Sequence, residues 1–94
     1  MTKLEWHPET FGPVSVLNVP KLEGWRLPTR AELIALYDSG DFPREMRKKR
    51  FWSSTLLATH QAFAWFVHFN DVGNSRAYHA LENNYVRLVR EMES

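Results

Sequence analysis

The side chains of this 94-residue chain that could do chemistry are few and scattered. Cysteine is absent, which removes thiol nucleophiles, disulfides and thiolate metal sites together and fits a reducing compartment. Ser53-Ser54-Thr55 offers three adjacent hydroxyls. No glycine elbow precedes them and no base stands in a recognised order, so they read as hydrogen-bonding groups at a strand entry, not as nucleophiles. The acidic residues form no pair on one helix or strand, which leaves general acid–base catalysis without support. No glycine-rich loop is present to cradle a phosphate. His60, His68 and His79 are the set to test for a metal. A chain reversal between Asp71 and Asn74 would set His68 and His79 diagonally on one sheet face, but no third ligand accompanies them. The expectation is a protein that is not an enzyme, with no metal and no cofactor.

What stands out is electrostatic. Arg44-Glu45-Met46-Arg47-Lys48-Lys49-Arg50 packs five cations and one acid into seven residues, with Phe42 and Phe51 at its flanks. One reading is a solvated loop that keeps the domain soluble. The sharper one is a landing patch made of Arg44, Arg47, Lys48, Lys49, Arg50 and Phe42, meeting an acidic protein surface or a nucleic-acid backbone. The whole chain carries only +1, so a local contact is expected rather than a long nucleic-acid track. Two loops dense in turn residues supply a second set of contact candidates: Asn70, Asp71 and Asn74 in one, Asn83 and Asn84 in the other.

The elements that must hold these residues are legible in part. Apolar residues at 44% and charged residues at 24% describe one ordinary globular domain over residues 1–94. No apolar run suggests a signal peptide or membrane span, so a cytoplasmic protein is expected. Gly24-Trp25-Arg26-Leu27-Pro28-Thr29 reads as a rigid extended entry to one amphipathic helix. Thr29 as N-cap, Glu32 three residues on and Gly40 as a left-handed C-cap predict a helix over about 30–39. Upstream, Phe11-Gly12-Pro13 reads as a turn, with a short strand through Val14, Val16 and Val19. Downstream, 62–69 is predicted as a central strand, with Phe63, Trp65, Val67 and Phe69 on one face and Ala64, Phe66 and His68 on the other. Residues 76–81 return as its hairpin partner and 85–90 form a last strand, giving a C-terminal three-strand meander. Trp25, Trp52 and Trp65 are predicted as core. Arg26, Arg87 and Arg90 are expected on a solvated strand face or bonded to loop carbonyls.

Taken in order, Gly24-Trp25-Arg26-Leu27-Pro28-Thr29 with Glu32-Leu33, Phe51-Trp52-Ser53-Ser54-Thr55, Ala64-Trp65-Phe66-Val67 with Phe69, and Tyr85-Val86-Arg87 with Val89-Arg90 resemble the Lcl C-terminal domain family over about residues 24–90. The resemblance implies an α+β domain related to C-type-lectin-like and formylglycine-generating-enzyme folds. One main helix would pack on a twisted antiparallel sheet, with the terminal strands near each other. It does not carry over oxidase chemistry, which depends on cysteines. Nor does the chain contain the Glu-Pro-Asn or Gln-Pro-Asp tripeptide of calcium-dependent sugar binding.

By resemblance to phage-borne and bacterial members, the expected function is that of a small binding protein, a phage or prophage accessory. It would block a host protein or protein–nucleic-acid complex, such as a CRISPR-type defence complex, by covering its surface. The alternative is a carbohydrate- or small-ligand-binding module that uses the polar loops and Trp6. A homodimer is a further expectation, because a meander leaves an edge strand and the aromatics exceed the needs of one core.

Overall fold

The computed structural model describes residues 3–70, 75–79 and 82–92. In chain order these form β1 (Lys3–Trp6), β2 (Phe11–Val14), a 3-10 turn (Val16–Asn18), α1 (Arg30–Ser39), a second 3-10 turn (Arg44–Met46), β3 (Arg50–Leu57), β4 (His60–His68), β5 (Ser75–His79), β6 (Asn84–Val86) and β7 (Val89–Met92). The class is α+β with one α-helix among the described residues. No helix among them is long and apolar enough to cross a membrane.

Helix α1 forms where local chemistry predicts it. The Thr29 hydroxyl accepts from the Glu32 N–H at 3.1 Å, and the Glu32 carboxylate accepts from the Thr29 N–H at 2.8 Å. Gly40 closes the helix at φ 69° and donates its N–H to the Tyr37 carbonyl. The start is also tied to the sheet: Arg30 N–H donates to the Thr55 hydroxyl and Ser54 N–H to the Pro28 carbonyl.

The main sheet has five strands in the order β2-β6-β3-β4-β5, and β1 pairs with β7 in a separate two-stranded sheet. Strand β4 is central, between β3 and β5, and its side chains alternate between two cores. Val67 and Phe69 join Phe51, Met46 and Leu33 under α1. Ala64 and Phe66 join Trp52, Val86 and Leu88 on the other face, covered by Phe11, Val14, Val16 and Val19. Trp52 is fully buried and donates its indole N–H to the Val14 carbonyl, while Trp25 and Trp65 are only half-buried.

Five expectations need correction. The last three strands do not form a meander; the sequential antiparallel run is β3-β4-β5. Strand β6 crosses to the far side of β3 and pairs there in parallel, so the sheet is mixed rather than antiparallel. The predicted strand 85–90 is split at Arg87 and Leu88, because its first part pairs within the five-stranded sheet and its second part pairs with β1 in the other. The chain leaves β6 there, and Val89 exchanges backbone hydrogen bonds with Arg26 before β7 reaches β1. Phe11-Gly12-Pro13 lies inside β2 rather than in a turn, and Val16 to Asn18 form a 3-10 turn rather than a strand. Strand β2 is an edge strand, where a proline without an N–H is tolerated.

Candidate functional site

The basic run is not a free loop. Its one apolar residue, Met46, is fully buried in the core beneath α1 and anchors the segment. The N–H groups of Met46 and Arg47 donate to the Pro43 and Arg44 carbonyls, which winds Arg44–Met46 into its 3-10 turn. Lys48 then adopts φ 65°, a left-handed conformation rare for lysine. That conformation is held from both sides: Lys48 N–H donates to the Phe69 carbonyl at 2.7 Å, and Phe69 N–H donates to the Lys49 carbonyl at 2.9 Å.

The single acid of the run is spent inward. The Glu45 carboxylate accepts from the Arg87 guanidinium at 2.7 Å; the Arg87 side chain is only 1% exposed, that of Glu45 53%. Arg87 is thus not on a solvated face, and among the described residues it bonds no loop carbonyl; it is a buried cation that cancels the one negative charge among five positive ones. Arg44, Arg47, Lys48 and Arg50 remain exposed. Lys49 is half-buried, with Nζ 5.1 Å from the centre of the Tyr85 ring, and the Arg50 guanidinium lies 5.8 Å from that of Phe66.

Two clefts flank this ridge. The first, about 430 Å³, runs between Arg47 and Lys48 on one side and Tyr37, Asp38, Phe42 and Asn70 on the other. Phe42 is half-buried, stacked on Tyr37 and edge-on to Phe69, so it is as much core cover as cleft wall. The second, about 310 Å³, lies between Lys48, Lys49 and Arg50 and the segment Asn83, Asn84 and Tyr85, with His68 beside them. Lys48 is a wall of both. The fold therefore gathers the basic patch and parts of both polar loops, distant in sequence, onto one face. Asn83 is exposed there, whereas Asn84 is only 3% exposed. Asp71 and Asn74 lie outside the described residues.

His68 works as a bracket. Asn70 Nδ2 donates to its Nδ1, and its Nε2 contacts the Lys48 carbonyl, each at 3.3 Å. With Nδ1 accepting, the proton sits on Nε2 and points at that carbonyl. Tyr37 donates its hydroxyl to the Asn70 carbonyl and closes the same corner. The pairing of a metal by His68 and His79 does not survive the register. Val67 faces Ser75 and Phe63 faces His79, so the two histidines are five strand positions apart, roughly 16 Å at the rise of a β-strand. Among the described residues no group of three His, Asp or Glu side chains could hold an ion.

The strand-entry hydroxyls do what the sequence suggests. Ser53, fully buried, donates to the Trp65 carbonyl at 2.8 Å and accepts from the Thr55 N–H at 3.1 Å. Arg26 makes a two-pronged pair with Glu32, each N–O distance 2.8 Å, and reaches Glu91 at 3.3 Å. The Arg26 hydrogen bonds outweigh the cost of partial burial and hold the Glu32 carboxyl down to about 2. Arg90 pairs with Glu5 across β1 and β7 and lies over Trp25. A further hollow of about 480 Å³ between Leu17, Leu22, Trp25 and Leu88 is mostly apolar.

Sequence reasoning missed Tyr85, His68 and Arg87 as parts of this face. The signal for the anchoring was Met46, one apolar residue amid charges. Nothing local pointed to Arg87, which meets Glu45 across 42 positions.

No curated protein matches the chain. The Lcl C-terminal domain family matches residues 2–90, which adds β1 and β2 to the stretch that carries the sequence resemblance. With nearly its whole length covered, the chain belongs to the Lcl C-terminal domain family.

Proposed function

We propose that this domain is a non-catalytic binding module. Its Arg44–Arg50 face docks on an acidic surface of a protein or protein–nucleic-acid complex and blocks that surface by covering it. One observation carries the reading: five cations sit on a backbone pinned by Met46 and by Phe69, while their only acid is neutralised from within by Arg87. A face built in this way raises the local potential and steers an acidic partner. The reading extends to the setting expected by resemblance, a phage or prophage accessory protein acting on a host macromolecule such as a CRISPR-type defence complex. The helix on a sheet, with β1 and β7 joined, supports a C-type-lectin-like scaffold, a kind that serves by its displayed surface.

Arg44→Glu with Arg47→Glu is the test, because both side chains are exposed. Affinity capture from host lysate with the native chain is expected to recover a defined acidic partner, and the double variant to lose it while melting as the native chain does. Equal recovery by the two proteins, or capture of a glycan in place of a macromolecular partner, overturns the proposal.

A further inference from the structure

The second cleft differs from the rest of the basic face in what surrounds it. Lys48, Lys49 and Arg50 form one wall and Asn83, Asn84 and Tyr85 the other, and among the described residues no acidic one lines it. The exposed cations Arg44 and Arg47 stand outside it. Two further observations single it out. Asn84 is 3% exposed, yet its side-chain Nδ2 has no hydrogen-bond partner among the described residues. A buried amide donor left unpaired is unfavourable until something satisfies it, and among the described residues this one has no hydrogen bond to give up. Beside it, Lys48 is kept in the left-handed region by its bond to Phe69, with His68 at its carbonyl. A strained non-glycine backbone at the lip of a cleft marks a place where the fold holds a side chain for use.

From this geometry we infer that the cleft between Lys48–Arg50 and Asn83–Tyr85 is a phosphate-binding subsite. It takes a phosphate monoester or diester, contributed by a nucleic-acid strand or by a free small phosphate. A carboxylate offers two coplanar oxygens and suits the fork of an arginine. Here two lysine ammonium groups, the Arg50 guanidinium and the Asn83 amide line the cleft from separate directions, which matches the several acceptor oxygens of a phosphate better than the two of a carboxylate. The cleft, about 310 Å³, is at the lower end of small-ligand pockets, so it accepts the phosphate with part of the group attached to it. The inference rests on reading this face as a surface for anions, and it names which anion one part of it takes.

The test is a titration of the 15N-labelled full chain, followed by amide shifts, at constant ionic strength. The probes are inorganic phosphate, a single-stranded thymidine pentanucleotide and sodium acetate. Phosphate is expected to move the Asn84 side-chain amide and the Lys48 and Lys49 backbone amides in a saturable way, and acetate is not. Stronger binding of the pentanucleotide than of phosphate identifies a strand as the source; equal or weaker binding identifies a free phosphate. Lys48→Gly keeps the left-handed backbone but removes the ammonium, and is expected to weaken phosphate binding roughly fivefold, the size of one lost solvent-exposed ion pair. Arg44→Ala, outside the cleft, is expected to leave it unchanged. Acetate and phosphate acting alike, a non-saturating response or an unchanged affinity in Lys48→Gly overturns the inference. No partner is needed in this titration, so it fails or succeeds independently of the capture experiment.

Discussion

Replacing Glu45 by alanine is expected to destabilise the domain far more than removal of a half-exposed surface acid would ordinarily do. The reason lies in its partner. Arg87 is 1% exposed, its Nη2 bonds Glu45 at 2.7 Å, and its Nη1 has no partner among the described residues. Breaking a buried ion pair from one side costs about 3–5 kcal/mol, because the other charge stays behind. Glu45 itself is 53% exposed, so water already weakens the pair and can reach part of the vacated space. That discount leaves about 2–3 kcal/mol, or a fall in Tm of roughly 10–20 °C for a domain of this size. The assay is thermal and urea unfolding by circular dichroism. Arg87→Met is the informative companion: it fills similar space without a charge to strand, and is expected to cost less than about 1 kcal/mol. The order of the two variants is the point. Should Glu45→Ala melt within about 2 °C of the native chain, or should Arg87→Met prove the worse of the two, the account of Arg87 as a cation dependent on Glu45 is wrong. A functional corollary follows, since Arg87→Met leaves Glu45 unopposed amid the basic run. That variant is expected to stay folded and to bind an acidic partner more weakly.

Glu32→Gln is expected to cost about 1–2 kcal/mol at neutral pH, reduced from the size of the carboxyl shift because Arg26 is 39% exposed. The sign follows from the depressed carboxyl. Its stabilisation is fully present above the unfolded value of about 4.3, and is lost as pH falls from there towards about 2 in the folded state. Urea unfolding at stepped pH is thus expected to show a fall across that window in the native chain and a flatter profile in the variant; parallel profiles refute it. Ser53→Ala is expected to cost about 1–3 kcal/mol, because the Thr55 N–H and the Trp65 carbonyl both lose their partner in a fully buried place. Hydrogen exchange checks its location, with faster exchange expected at Thr55; an unchanged rate there removes the proposed role of the hydroxyl.

How much the sequence discloses depends on how far each determinant reaches. Helix α1 runs from Arg30 to Ser39 as its caps predict, because Thr29, Glu32 and Gly40 act within one or two turns. The faces of β4 were legible for the same reason, since alternation is a property of adjacent residues. Strand β6 was misplaced because its position depends on Tyr85 lying parallel to Phe51, a contact that no turn residue announces. Gly12 misled differently. Its pairing with Pro13 is turn chemistry, but at φ 104° it lets β2 pass against β6, where a Cβ would stand 3.1 Å from the Asn84 carbonyl oxygen. The glycine is favoured by its positive φ, by the Val14 nitrogen 3.0 Å from that Cβ and by a neighbour 72 positions away, not by a reversal of the chain. The site was legible only as two separate lists. Arg47 and Lys48 were visible as a charge run and Asn70 and Asn83 as loops, but their convergence on shared clefts is a product of β3, β4 and β6 being neighbours.

The stiffness of the basic segment is what separates a docking face from a loop kept for solubility. Crowding five like charges into seven residues is unfavourable, by a few tenths of a kcal/mol for each exposed pair in salt, and a solubility role could be met by spreading them. Here they are held together. Met46 is committed to the core, Lys48 is held at positive φ, and Phe69 bonds the backbone on both sides. Ordering a flexible segment at the moment of binding costs about 1–2 kcal/mol per residue in backbone entropy, and a segment already ordered by the fold avoids that cost. The two explanations therefore diverge in one place. If Met46→Ala loosens the segment while Arg44, Arg47 and Lys48 keep their charges, a solubility loop loses nothing. A docking face loses affinity with its net charge unaltered, and the comparison of partner capture at equal folded fraction decides between them.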